Sequence, residues 1–122
     1  MKVLLVDDDD DQLNIRSLLL SHHGFEVIAA SDGATAVELG VTNRPQAAVV
    51  DIRLPGEEDG LSLICRLKAE LPEIAILAFT GADPGRLKER EEYGLIDEWL
   101  VKGASIKSLI AKLKVLAARR AA

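Results

Sequence analysis

Cysteine is nearly absent from this chain. Cys65 stands alone among 122 residues, so no disulfide can be internal. Its place in a helical pattern reads as a small core side chain in a reducing compartment rather than a catalytic thiol. Long apolar runs are missing too: no segment approaches the roughly 20 residues that a membrane-spanning helix needs. The start at residues 1–6 is too short for a signal peptide and runs straight into aspartates, so a cytoplasmic protein is expected. Positive charge is the minority. Fifteen Lys and Arg against twenty Asp and Glu leave a net charge of -5, which argues against a general nucleic-acid binder. What remains is 48% hydrophobic and 29% charged, the balance of a single globular domain large enough to bury a sizeable core.

The stretch at residues 47–60, AAVVDIRLPGEEDG, organises the rest. It opens as a short apolar run, the pattern of a strand buried on both faces. Asp51 arrives where that strand runs out, and Pro55, Gly56 and Gly60 then turn the chain towards a new helix. A carboxylate at the end of a buried strand is costly unless it has a partner or a task.

Four other apolar runs, at 2–6, 25–30, 73–79 and 96–101, read as strands. Between and after them, 12–23, 34–42, 61–71, 83–93 and the segment from Ser105 onward read as helices. In the first helix Ile15, Leu18, Leu19 and His22 recur at helical spacing, with Gly24 at the C′ position. Asp9 with Gln12 three residues later forms a capping-box pattern. The third helix turns Leu61, Ile64, Cys65 and Leu67 inward, and the last has Ile106, Leu109, Ile110, Leu113, Leu116 and Ala117 on one face. The 83–93 segment is mostly charged around Leu87 and Tyr93, so it is expected to be thinly anchored. Strand and helix alternate five times with short connections. An α/β, flavodoxin-like, doubly wound fold follows: a five-stranded parallel sheet in the order 2-1-3-4-5 with five helices on both faces.

In that order the carboxyl ends of strands 1, 3, 4 and 5 share one rim, where open α/β sheets bind ligands. The residues there are Asp7 and Asp8, Asp51, Thr80 and Lys102. Hard oxygen ligands in this number suit Mg²⁺. A carboxylate beside the metal can act as nucleophile towards phosphorus, while a hydroxyl and an ammonium neutralise the transferred oxygens.

Val6-Asp7-Asp8, Asp51 with Pro55 four positions on, Phe79-Thr80 and Val101-Lys102 together resemble the receiver domain of bacterial response regulators, of which the chemotaxis regulator is a single-domain member. The resemblance covers the whole chain. It implies that Asp51 is the phosphoacceptor, charged by a histidine kinase or phosphotransfer protein. It implies direct Mg²⁺ ligation (with Mn²⁺ as a substitute) by Asp8, Asp51 and the Arg53 backbone carbonyl, with Asp7 acting mostly through water. Thr80 and Lys102 would hold the phosphoryl oxygens. Thr80 and Trp99 would form the switch that remodels the surface of the 83–93 segment, the fifth strand and the last helix for a protein partner. The domain would assist its own phosphorylation and dephosphorylation without being an enzyme in the ordinary sense. Because the chain ends soon after the last helix, residues 1–122 are expected to be a receiver without an output domain, unless they are a fragment of a longer regulator. No direct nucleic-acid or membrane contact is expected, and the domain is expected to be a monomer or weak dimer.

Four features depart from the family's usual pattern. One is Arg53 and Ala82 at the two variable positions flanking the phosphoryl group, where Arg53 is expected to shield or pair with it and slow hydrolysis. Gly60 lies nine residues after Asp51 where eight is usual, which marks an apparent insertion in the 56–59 loop. Gly103 stands where a proline commonly follows the lysine. A cis bond before glycine would cost about 3 kcal/mol, so a trans bond and a differently shaped loop are expected. Trp99 replaces the commoner tyrosine or phenylalanine. Plainer readings stand beside the functional ones: Asp9 to Asp11 as a solvated acidic loop, Asp51 as a cap, Thr80 as a β-branched strand residue, Lys102 as a snorkelling surface lysine, and Trp99 as core. His22 and His23 read as structural cations at a helix C-terminus. The rival functions are a receiver-like interaction module that signals without phosphorylation and a Mg²⁺-dependent aspartyl phosphatase. The phosphatase is disfavoured because the position two residues after Asp51, where such enzymes usually carry an acid/base carboxylate, is Arg53.

Overall fold

A computed structural model of the chain describes residues 1–52, 57–80, 94–101 and 103–121, with side chains left out at 57–59, 120 and 121. The strands are β1 (Lys2–Val6), β2 (Glu26–Ala30), β3 (Ala47–Asp51), β4 (Ala75–Thr80) and β5 (Glu98–Val101). The helices among the described residues are α1 (Asp10–His22), α2 (Gly33–Asn43), α3 (Glu57–Glu70) and α4 (Ile106–Ala121). The strands form one parallel sheet in the order β2-β1-β3-β4-β5, as expected. The helix expected over 83–93 lies outside the described residues.

Burial follows from this order. The central strands β3 and β4 are buried at every residue, which is why they read as unbroken apolar runs, while the edge strand β2 is largely open. Side chains alternate across the sheet into two cores. One face packs Leu4, Val6, Val50 and Ile76 against α2 and the Leu61, Leu63, Ile64 and Leu67 row of α3. The other packs Val3, Leu5, Val49 and Leu77 against Leu13 and Leu20 of α1 and the Leu109, Ile110, Leu113 and Leu116 row of α4.

Helix α1 turns a different face inward than the spacing of Ile15, Leu18, Leu19 and His22 predicts. Leu13 and Leu20 are buried and Arg16 and Ser17 half-buried, whereas Ile15 is 53% and Leu18 73% exposed. Positions 13, 16, 17 and 20 fit a helical face as well as 15, 18, 19 and 22 do, and two polar residues disguise it. Helix α3 begins four residues before the expected Leu61, so 57–59 form its first turn rather than a loop. Gly60 lets that turn come close: a Cβ there would stand 2.6 Å from the Ile52 Cα.

The caps are largely as expected. Asp9 is the N-cap of α1, its Oδ1 accepting from the Asp11 and Gln12 N–H groups at 3.0 and 3.2 Å. The box is not reciprocal, because the Asp9 N–H donates to Asp7 Oδ1 at 3.0 Å. Gly24 follows α1 at φ +91, the left-handed C′ conformation. Asp32 caps α2, accepting from the Thr35 N–H at 2.8 Å and its hydroxyl at 3.0 Å. These bonds hold the Asp32 carboxyl below its ordinary range, the backbone N–H contributing most. Ser105 Oγ accepts from the Ser108 N–H ahead of α4.

Candidate phosphoacceptor site

The sheet register builds the site directly. Val3 pairs with Ala47 and Val6 with Val50, so one further step sets Asp7 level with Asp51. On the other side Asp51 pairs with Phe79, and Thr80 with Val101. The ladders run one residue past β1 and β3: the Asp7 N–H donates to the Ala30 carbonyl at 3.2 Å and the Ile52 N–H to the Phe79 carbonyl at 3.1 Å. Asp7 and Asp51 are therefore carried on backbone that is bonded to its neighbours. By alternation both side chains fall on the sheet face of Val3, Leu5 and Val49.

Asp7, Asp8 and Asp51 each offer a carboxylate oxygen, and these atoms all lie within 4.8 Å of one another. Asp7 is 3% and Asp51 1% exposed, while Asp8 faces solvent. Oxygens sharing one Mg²⁺ at ~2.1 Å sit about 3–4 Å apart, so a small contraction or one bridging water brings this group to the ion. The donor set is hard oxygen throughout, which Mg²⁺ favours over softer metals. Thr80 ends β4 and is buried on the adjoining strand. Trp99 lies in β5, half-buried and packed against the core cluster of α2 and α3. Lys102 and Arg53 lie outside the described residues, so their expected roles rest on the sequence. Beyond Lys102, Gly103 adopts φ +94, a left-handed value closed to the proline that commonly stands there.

One residue of the site escaped the sequence reading. Arg16, on the inward face of α1, donates from Nη1 to Asp7 Oδ2 at 2.6 Å, and both side chains are largely buried. Its guanidinium carbon stands 4.5 Å from the centroid of the Phe79 ring, a cation–π distance. Beside this pair a cleft of about 400 Å³ opens between α1 and the start of α4, with Gln12, Arg16, Phe79 and Ser105 among its walls. The available signal was a charged residue three positions after Leu13 and four before Leu20, on the helical row that joins those two leucines.

The family model of the response regulator receiver domain matches residues 3–114. The transcriptional regulatory protein PrrA of Mycobacterium tuberculosis is 38% identical over 122 residues, covering 98% of this chain and 51% of that protein. Response regulator MprA of Mycobacterium leprae is 30% identical over 119 residues, covering 98% of this chain and 52% of that one. The chain thus spans about half the length of the curated relatives it matches. Those relatives are transcriptional regulators by name or response regulators, so the expectation of no nucleic-acid contact finds no support among them. Among solved structures, the Francisella response regulator 1452 receiver domain superposes with a TM-score of 0.85 at 28% identity, covering 98% of both chains. The chemotaxis protein CheY4 of Vibrio cholerae gives a TM-score of 0.85 at 25% identity, covering 94% of this chain and 97% of that one. With the family model spanning nearly its whole length, the chain belongs to the response regulator receiver domain family.

Proposed function

We propose that Asp51 accepts a phosphoryl group from a histidine kinase or phosphotransfer protein in the cytoplasm, and that residues 1–122 form the receiver unit through which this signal passes. Response regulators work with histidine kinases in two-component systems, and receiver domains are phospho-acceptor signalling modules rather than enzymes in general. The observation that carries the finer reading is the meeting of Asp7, Asp8 and Asp51 at adjoining strand ends. Buried carboxylates this close together favour a shared cation, and one at a strand end beside that cation is placed to face a substrate.

An Asp51 carboxylate oxygen attacks phosphorus; the bond to the donor's nitrogen or oxygen breaks as the new O–P bond forms, and water later hydrolyses the acyl phosphate, releasing inorganic phosphate and restoring the Asp51 carboxylate. Asp8 and Asp51, with the Arg53 carbonyl, are the residues that would hold Mg²⁺, with Asp7 behind a water. The ion, when bound, supplies charge neutralisation at the phosphoryl oxygens. The Thr80 hydroxyl and Lys102 ammonium would orient the same oxygens. Thr80 moving towards them, with Trp99 turning inward, would convert the charge change into a new surface on β5, α4 and the 83–93 segment.

Intact-mass spectrometry tests this after incubation with Mg²⁺ and acetyl phosphate. One added phosphoryl group is expected in the parent, and none in Asp51→Asn or in samples with EDTA. An adduct that persists in Asp51→Asn, or that forms in EDTA, would reject the assignment.

A further inference from the structure

We infer that Arg16 is a resident counter-charge of the acidic site, one that holds the cluster together without metal and thereby weakens its affinity for Mg²⁺. The inference rests on the reading of Asp7, Asp8 and Asp51 as the metal site. Three carboxylates with oxygens inside 4.8 Å repel one another strongly, more so where two are buried. Arg16 answers that repulsion at Asp7. Its 2.6 Å bond to Oδ2 complements the Asp9 N–H on Oδ1, so both Asp7 oxygens are oriented by donors.

Three features keep the guanidinium in place. It springs from the inward row of α1 between the buried Leu13 and Leu20. It lies against Phe79, the strand neighbour of Asp51. Its side chain is 17% exposed, so swinging into solvent would uncover the Asp7 carboxylate. A dication entering beside Asp7 therefore meets a fixed positive charge a few ångströms away. At the effective dielectric of such partly buried sites, that repulsion is worth at least the factor of about ten in affinity set by 1.4 kcal/mol. Arg16 touches no reacting atom. It is a positioning residue, acting through Asp7 and through charge.

Two substitutions separate charge from hydrogen bonding. Arg16→Gln keeps a donor for Asp7 and removes the charge; Arg16→Lys keeps the charge and gives up the planar fork. Calorimetric titration with Mg²⁺ is expected to show Arg16→Gln binding about tenfold more tightly than the parent, and Arg16→Lys within about twofold of it. In EDTA, Arg16→Gln is expected to melt below the parent, with a larger gain in Tm on adding Mg²⁺. Should Arg16→Gln not fold, the pair Asp7→Asn and Asp7→Asn/Arg16→Gln gives the same comparison. There the carboxylate that Arg16 neutralises is itself uncharged, and the double variant is expected to bind Mg²⁺ the more tightly of the two. Equal or weaker Mg²⁺ binding on loss of the Arg16 charge overturns the inference while leaving the metal site intact. Absence of Mg²⁺ binding in parent and variants alike overturns the metal reading and the inference with it.

Discussion

Replacing Gly60 with alanine sets two effects of opposite sign against each other. Inside a helix, Gly→Ala ordinarily stabilises by roughly 0.5–1 kcal/mol, because alanine has less backbone freedom to lose on folding. At position 60 the new Cβ would stand 2.6 Å from both the Cα and the carbonyl carbon of Ile52, and nearer still to its oxygen. Carbon–carbon contact is comfortable only beyond about 3.5 Å, so the first turn of α3 or the end of β3 must retreat by about 1 Å. The obstacle is backbone, which cannot rotate aside like the end of a side chain. The retreat also loosens Leu61 and Ile64, both fully buried against the sheet. Overpacking of this kind costs roughly 1–3 kcal/mol, and with the lost contacts the net effect is about 2 kcal/mol of destabilisation despite the better helix former. At ~2.1 cal/mol/K of unfolding entropy per residue, a domain of this size should melt about 8 °C lower. Urea unfolding followed by circular dichroism measures it, with Gly94→Ala as control, since a Cβ there meets nothing within 4 Å. A Gly60→Ala protein as stable as its parent, or more so, would refute the close approach of α3 to Ile52.

Two further perturbations read other parts of the frame. Asp97 Oδ2 accepts from the Ile76 N–H at 2.8 Å and lies 3.7 Å from Lys68 Nζ, tying the entry of β5 to β4 and α3. Asp97→Ala is expected to cost about 1–2 kcal/mol in urea unfolding, with Asp97→Asn costing less because an acceptor remains; equal losses in the two would deny the hydrogen bond its part. Asp32 is held below its ordinary pKa by Thr35, so folding favours its ionised form. That contribution is complete above the ordinary carboxylate pKa and fades as pH falls through the lowered folded value. Asp32→Ala should therefore be less stable than the parent at neutral pH, with the gap narrowing below about pH 4. A gap unchanged down to pH 3 in thermal melts would contradict the cap.

The sequence alone was enough for the strand order and for the positions of Asp7, Asp8, Asp51 and Thr80. Each of these signals is local: an apolar run that stops, a polar residue at the stop, a turn or cap just after. Parallel strands buried on both faces make such runs conspicuous, and right-handed crossovers leave few ways to arrange five of them. Local signals also located Gly24 after α1, Asp9 as its cap and Ser105 ahead of α4. Tertiary structure decided the rest. The phase of α1 was degenerate, because two rows of residues satisfy the helical period and only packing against β1 and β4 selects the one containing Arg16. The early start of α3 depends on Gly60 meeting Ile52, a contact between backbones that no periodicity records. The partnership of Arg16 with Asp7 and Phe79 joins a helix to two strand ends. Charge and ring come together there only when the sheet is assembled, and interactions across elements leave no spacing in the chain from which to read them.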